Sequence, residues 1–255
     1  MGFLTDTVAR VRRDLERSPL PEGTLLLHAR SASPPRDLEA ALRRPGLSVI
    51  AEVKRSSPSA GEIADVDPAA QAASYAEGGA AAVSVLTEPR HFGGSLADLR
   101  SVRARVALPV LRKDFVIHPS QVIQSRAEGA DAVLLIAAAL TVSELEELRC
   151  VAEELGMAAL VEAHAEEDLD RAVASGAGIV GVNARDLETL EVDLERGLRL
   201  AVAVPPDRVL VLESGIRSAE DARRAEAAGA HAVLVGEALM RAADPAAAVR
   251  KLVGP

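Results

Sequence analysis

Lysine is almost missing from this sequence. Among its 255 residues only Lys54, Lys113 and Lys251 carry an ammonium, against 26 arginines. Arginine thus supplies the generic positive charge, and lysine is left for positions of another kind. Lys251 lies in the C-terminal tail. Lys54 and Lys113 close the apolar runs Ser48-Val-Ile-Ala-Glu-Val-Lys54 and Pro109-Val-Leu-Arg-Lys113. Arginine stays protonated, whereas lysine is a compact ammonium that can give up its proton when desolvated. Two lysines kept at the ends of apolar runs point to proton transfer or to a point charge in a tight site, with chance retention as the plainer reading.

Other scarcities narrow the field further. There are three Phe, one Tyr and no Trp, so the core must be built from Ala, Val, Leu and Ile. The single Cys150 cannot close an internal disulfide and reads as a small core residue on a helix. The segment Met1 to Ser18 alternates in charge and lacks the apolar stretch of a secretory signal. The run Ala130 to Leu140 is too short to span a membrane and contains Asp131. His28, His91, His118, His164 and His231 show no metal-ligand spacing, and no Ser/His/Asp or Cys/His set is evident. The net charge is -9 with basic residues scattered, a poor balance for binding nucleic acid. A soluble cytoplasmic protein is expected, with no nucleic-acid or membrane partner and no obligate protein partner.

What is present is a repeat. From about residue 48 a short β-branched run, a polar loop, an Ala/Leu/Glu/Arg helix and a Gly-Ala pair recur. The pairs are Gly79-Ala80, Gly129-Ala130, Gly176-Ala177 and Gly229-Ala230, each Gly suited to the left-handed residue that ends a helix. The pattern predicts strands at 48–54, 81–86, 108–113, 131–136, 158–162, 179–183, 208–213 and 232–236. Helices are expected between and after them, from 67–77 to 244–253. Alternation implies parallel strands, and nearly continuous apolar runs imply burial on both faces. Eight units in about 250 residues imply an α/β fold, a closed (β/α)8 TIM barrel. An open doubly wound sheet is the alternative, weakened because no Gly-x-Gly-x-x-Gly follows the first strand. The chain is expected to be one domain, 1–255, with residues 1–47 an N-terminal helical extension on the barrel's floor or active-site rim. It holds helices at Thr5 to Arg17 and Asp37 to Arg43, with prolines punctuating the rest.

Barrel catalytic groups come from the C-terminal ends of strands. There the sequence places Glu52 and Lys54, Lys113, Glu162, Asn183, and Glu213-Ser214-Gly215. Period-two alternation puts Glu52 and Lys54 on one face, directed into the mouth. Any one of these could be a structural ion pair, but five strands ending this way are hard to explain so. Mixed carboxylates and amines in one cleft are the setting for divided acid and base roles. The loops after the seventh and eighth strands, with Gly215 and Gly236-Glu237, suit the usual barrel phosphate site, and Ser218 suits an N-cap. The polar loop Arg55 to Gly61 could close over a substrate, and Ser57 could add a hydroxyl to the phosphate site. Phe92 and Phe115 follow strands and could wall an aromatic substrate.

Together these segments resemble the indole-3-glycerol phosphate synthase family of tryptophan biosynthesis, over nearly the whole chain. The resemblance rests on Ile50-Ala-Glu-Val-Lys-Arg-Ser-Ser-Pro-Ser59, Ser84-Val-Leu-Thr-Glu88, Pro109-Val-Leu-Arg-Lys-Asp-Phe115, Leu160-Val-Glu162, Gly181 to Leu190, Glu213-Ser-Gly215 and Val235 to Met240. It implies a carboxy-lyase that closes the ring of 1-(2-carboxyphenylamino)-1-deoxyribulose 5-phosphate, losing carbon dioxide and water, with no metal and no organic cofactor. It further implies Lys113 as general acid at the ketone oxygen and Lys54 as holder of the substrate carboxylate, able to share in proton transfer. Glu162 would serve the dehydration, with Glu52 and Asn183 orienting and Arg185 nearby. Glu213 and Ser214 would line the sugar side. Ser57, Gly215, Gly236 and the Glu237 backbone would bind phosphate, and Phe92, Phe115 and Leu187 would hold the ring. Ala60 and Ala184 depart from the more polar residues expected there. Two other readings stand beside this one: a Schiff-base aldolase with Lys113 as nucleophile, and a barrel that serves only as a scaffold.

Overall fold

A computed structural model describes residues 2–59 and 61–253, so the expectation about Ala60 lies outside the described residues. Eight parallel strands close into a barrel in chain order: β1 Ser48–Val53, β2 Ala82–Leu86, β3 Val110–Lys113, β4 Ala132–Ile136, β5 Ala158–Ala163, β6 Ile179–Asn183, β7 Val209–Glu213 and β8 Ala232–Val235. β8 pairs with β1 to complete the ring. Every predicted run is a strand. The third begins later than predicted because Pro109 has no N–H to give the ladder, although its carbonyl accepts from Val83. The glycines at 79, 129, 176 and 229 all have φ between 80° and 94°. In each case the following alanine donates to the carbonyl five residues back, closing the helix end. Gly156-Met157 ends a fifth helix in the same way.

Strand alternation produces two nested cores. Val49, Ala51, Val53, Val83, Val85, Val133, Leu135, Val180 and Val182 face outward against the helices. Ile50, Ala82, Leu111, Leu134, Leu160, Ile179, Val211 and Leu234 fill the barrel. The interior is thus packed, and only the last residue of each inward row reaches the mouth. The lone Tyr75 is fully buried and donates its hydroxyl to the carbonyl of Glu52 at 3.2 Å, pinning the end of β1 from behind.

The N-terminal extension contains three helices, α1 Phe3–Arg17, α2 Glu22–Ser31 and α3 Leu38–Leu42, and serves both suggested places. α3, capped by Asp37, buries Leu38 and Leu42 among the first residues of the strands, Ala82, Ala132, Val209 and Ala232. It therefore closes the barrel's floor. The linker before it is fastened by Asp131, which accepts from the N–H of Arg36 and of Val110, each at 2.8 Å, and pairs with Arg103. α2 is not legible in the sequence, because three successive leucines blur its period. Leu25 packs on Ile123 while Leu27 remains exposed. Cys150 corrects another expectation: it is half-buried on the helix Val142–Glu154, beside the Arg149 guanidinium, and is not a core residue. The histidines take structural tasks. His118 caps the helix Pro119–Ala127, His231 accepts from the N–H of Leu210, and His164 pairs with Asp168 at 2.8 Å.

Candidate active site

The C-terminal ends of the strands enclose a cavity of about 410 Å³. All fifteen residues singled out from the sequence line it: Glu52, Lys54, Ser57, Phe92, Lys113, Phe115, Glu162, Asn183, Arg185, Leu187, Glu213, Ser214, Gly215, Gly236 and Glu237. At its base the Lys113 ammonium lies 3.0 Å from Glu162 Oε2 and 3.4 Å from Glu213 Oε2. Lys54 lies 2.8 Å from Glu52 Oε1. The two lysines that the sequence kept are thus each held by carboxylates from the same cluster.

Electrostatics divides the three buried partners at β3, β5 and β7. Burial favours loss of the Lys113 proton, but Glu162, Glu213 and Glu52 outweigh it and hold the ammonium more firmly than an ordinary lysine. Burial likewise opposes ionisation of Glu162, yet the Lys113 charge and hydrogen bonds from Lys113 and Asn183 keep it below the usual carboxylate range. Asn183 is oriented for this because its Oδ1 accepts the N–H of Arg185 at 2.9 Å. Glu213 goes the other way. Burial pushes it up to about 8; Lys113 opposes the rise, and the neighbouring Glu162 and Glu52 charges add to it. The environment thus favours the charged form of Lys113 and Glu162 and the protonated form of Glu213.

Two glycines make room for these carboxyls. A Cβ at Gly181 would strike Glu213 Oε1, and one at Gly236 would strike Glu52 Oε1 and come within 3.0 Å of Lys54 Nζ. Gly236→Ala should therefore displace the Glu52–Lys54 pair. The expected cost is about a hundredfold in kcat/KM, the scale of an ångström's misplacement, with an unchanged far-UV circular dichroism spectrum. Steady-state kinetics on the folded variant checks this.

The far side of the cavity is formed by the turns after β7 and β8. Ser214 and Gly215 both have positive φ, 64° and 79°; for Ser214 that conformation costs about 1–3 kcal/mol and marks a functional turn. After β8, Gly236 opens the short helix Glu237–Met240, whose first N–H groups lie outside the helix's own bonds. Arg217 and Arg241 reach the same rim; the sequence reading passed them over because exposed arginines are numerous here.

The near side is apolar and holds residues the sequence reading missed. Phe3 enters from α1, with its ring 6.5 Å from Phe92 and 6.1 Å from Phe115 in edge-to-face contact. All three phenylalanines of the chain thus meet at one mouth, and that scarcity was the signal available for Phe3. Glu88, after β2, is buried between Arg10 of α1 and the N–H of His91, at 2.9 and 2.6 Å, and so fastens the loop carrying Phe92. Arg112 is buried behind Lys113 and donates to Asp114 and Thr87 at 2.9 and 3.1 Å, while Asp114 also accepts the N–H of Phe115 at 2.8 Å. The loop after β1 is held by Arg55 on Asp98 and by Arg185, which donates to Ser59 Oγ at 3.1 Å.

A floor-sealed parallel barrel with lysines and carboxyls gathered at the C-terminal ends of its strands, an aromatic wall on one side and glycine turns on the other has the layout of a (β/α)8 enzyme. Solved structures bear out the fold alone. A thiamine phosphate pyrophosphorylase from Pyrococcus furiosus matches with TM-score 0.61 at 19% identity, covering 83% of this chain and 95% of that one. A 3-hexulose-6-phosphate synthase from Salmonella typhimurium matches with TM-score 0.62 at 17% identity, covering 81% and 97%. Sequence comparison is more specific. A sequence model described as indole-3-glycerol phosphate synthase matches residues 4–252. Proteins of that name from Nocardioides sp. (strain ATCC BAA-499 / JS614) and Saccharopolyspora erythraea are 54% and 50% identical, covering 100% and 99% of this chain and 99% and 95% of their own. A third, from Mycolicibacterium smegmatis, is 54% identical over 88% of this chain and 83% of its own. The chain belongs to the indole-3-glycerol phosphate synthase family.

Proposed function

We propose that this cavity closes the indole ring of 1-(2-carboxyphenylamino)-1-deoxyribulose 5-phosphate, giving indole-3-glycerol phosphate, carbon dioxide and water. The observation that carries the reading is the placement of Lys113 between the buried carboxyls of Glu162 and Glu213, with phenylalanines on one side of the cavity and the glycine turns after β7 and β8 on the other. The phosphate enters the cradle of Gly215, Gly236 and the Glu237 backbone, with Ser57 beside it. The carboxyphenyl ring lies against Phe3, Phe92, Phe115 and Leu187, and its carboxylate meets Lys54. Fixing both ends brings the ring carbon that bears the carboxylate against the ketone carbon.

As that ring carbon attacks, Lys113 delivers its proton to the ketone oxygen, so no alkoxide accumulates. Carbon dioxide then leaves, and its bonding pair restores the aromatic ring. In the second half the new hydroxyl takes a proton from the Glu213 carboxyl and departs as water, pushed by the ring nitrogen, while Glu162 takes the proton from the methylene beside that nitrogen. Glu52 and Asn183 orient the lysine and the carboxylate. Glu213, neutral on the sugar side with Ser214, avoids a second buried negative charge beside Glu162.

Activity is expected to fall as the pH rises through about 8, when Glu213 ionises. Its folded-state pKa lies above the ordinary carboxylate value, so its contribution to stability is present in acid and is lost as the pH climbs toward that point. Glu213→Gln should remove the alkaline limb from the pH–rate profile and flatten stability over the same interval. An unchanged alkaline limb in the variant would assign it to another group.

The aldolase reading is disfavoured by the same geometry, since a nucleophilic lysine must be unprotonated and Lys113 is held as an ammonium. Among the described residues no helix is long and apolar enough to cross a membrane. The experiment for the whole reading compares the substrate with its dephosphorylated form. The phosphorylated compound should turn over at a rate that the truncated one fails to approach even at saturation, because remote binding energy is used in the transition state. Equal kcat values for the two would remove the anion cradle from the account.

A further inference from the structure

The first turn of α1 carries no cap of its own. Gly2 stands at the N-cap position, where it has no side chain to offer the first turn's N–H groups. The missing partners come from the loop after β6, some 183 residues away in sequence. Phe3 N–H donates to the Glu188 carbonyl at 3.3 Å and Leu4 N–H to the Leu187 carbonyl at 3.1 Å. The Glu188 carboxylate accepts from Thr5 N–H at 3.3 Å and from the Thr5 hydroxyl. Gly2 is required by this arrangement, because a Cβ there would collide with the Glu188 carboxylate. The loop is itself braced: Asp186 accepts from the N–H groups of Glu188 and Thr189 at 2.7 and 2.9 Å. Seven residues past Phe3 on the same helix, Arg10 is held by Glu88 at 2.9 Å.

We infer that Glu188 is a positioning residue for the reaction: its carboxylate caps α1 from across the barrel and thereby holds Phe3 in the wall that seats the substrate's aromatic ring. This rests on the reading of the apolar side as the ring's seat. Glu188 does not line the cavity, whereas Phe3, one residue past the capped position, does. A carboxylate at a helix start also meets the positive end of the helix dipole, so charge as well as shape selects Glu here. Loss of the cap leaves the chemistry at Lys113 and Glu162 untouched and loosens one wall of the ring's seat. The effect should therefore fall on KM.

The test is a double-mutant cycle in steady-state kinetics on the full chain. Glu188→Ala is expected to raise KM about fivefold with kcat within twofold of the parent, and Glu188→Gln, which keeps an accepting oxygen, to raise it less. Gly2→Ala attacks the same contact from the helix side without altering the loop, and should give the same KM-only change. Phe3→Ala should raise KM alone, and adding Glu188→Ala to it should change KM no further. Independent, multiplying effects of Glu188 and Phe3, or a fall in kcat for Glu188→Ala, would overturn the inference and place Glu188's influence in Leu187 and Arg185 of its own loop. Phe3→Ala with unaltered KM would instead sink the ring-seat reading on which the inference rests, so the two failures are told apart.

Discussion

Lys113→Ala is expected to lower kcat roughly a thousandfold, the scale of one general acid, while binding of the phosphorylated substrate survives. The glycine turns follow other strands, and the aromatic wall, although Phe115 stands two residues past Lys113, makes its contacts through apolar rings that do not depend on this ammonium. Lys113→Arg should fail almost as badly. It keeps the positive charge between Glu162 and Glu213, so the buried carboxyls remain paired and the fold is preserved. Arginine, however, does not part with its proton, and its planar fork cannot occupy the point 3.0 Å from Glu162 as an ammonium does. The comparison therefore separates charge from proton transfer. Measured kcat for the two variants, beside substrate affinity from equilibrium binding, checks it; an arginine variant near parental turnover would leave Lys113 with electrostatics alone.

Glu162→Gln is expected to lower kcat by about 10² to 10⁴, and to do so at a particular point in the reaction. Glutamine is the same size and can still accept a hydrogen bond from Lys113, but it cannot receive the proton of the dehydration step. It also removes the charge that most strongly holds the Lys113 proton. Ring closure and decarboxylation should still run once in the variant. A single turnover followed by rapid quench should show carbon dioxide released ahead of indole, with a non-aromatic five-membered intermediate retained. Loss of both products in parallel, with no carbon dioxide in the first turnover, would move Glu162 to the ring-closing half.

How much of this was legible in the sequence follows a physical line. The barrel was readable because its signals are local: apolar runs of strand length, glycines in the left-handed conformation after five of the helices, and N-caps such as Ser218 ahead of Asp221. The floor of the site was readable because strand alternation and a lysine-poor composition made Glu52, Lys54 and Lys113 conspicuous. What escaped were partners brought together by tertiary structure alone. Nothing near Phe3 in the chain announces Glu188, and nothing near Arg10 announces Glu88. Arg112 reads as one arginine among many, yet it is buried behind Lys113 with Asp114 as its counter-charge. α2 escaped for a local reason, since Leu25, Leu26 and Leu27 stand in a row and hide the helical period that Leu25 and Ala29 define. The sequence also left open which lysine moves a proton. The proposal that it is Lys113 is supported by its place between two carboxyls at the base, whereas Lys54 pairs with Glu52 alone, beside Gly236.

The most direct test of the central claim is to mix the parent protein and Lys113→Ala, side by side, with 1-(2-carboxyphenylamino)-1-deoxyribulose 5-phosphate and follow indole fluorescence. With no Trp and one Tyr in the chain, the protein contributes almost no background. The account predicts a signal that grows through many turnovers in the parent and stays nearly flat in the variant, which still binds substrate. A parent that gives no signal while folded, with the substrate intact, or a variant that keeps pace with it, would contradict the account.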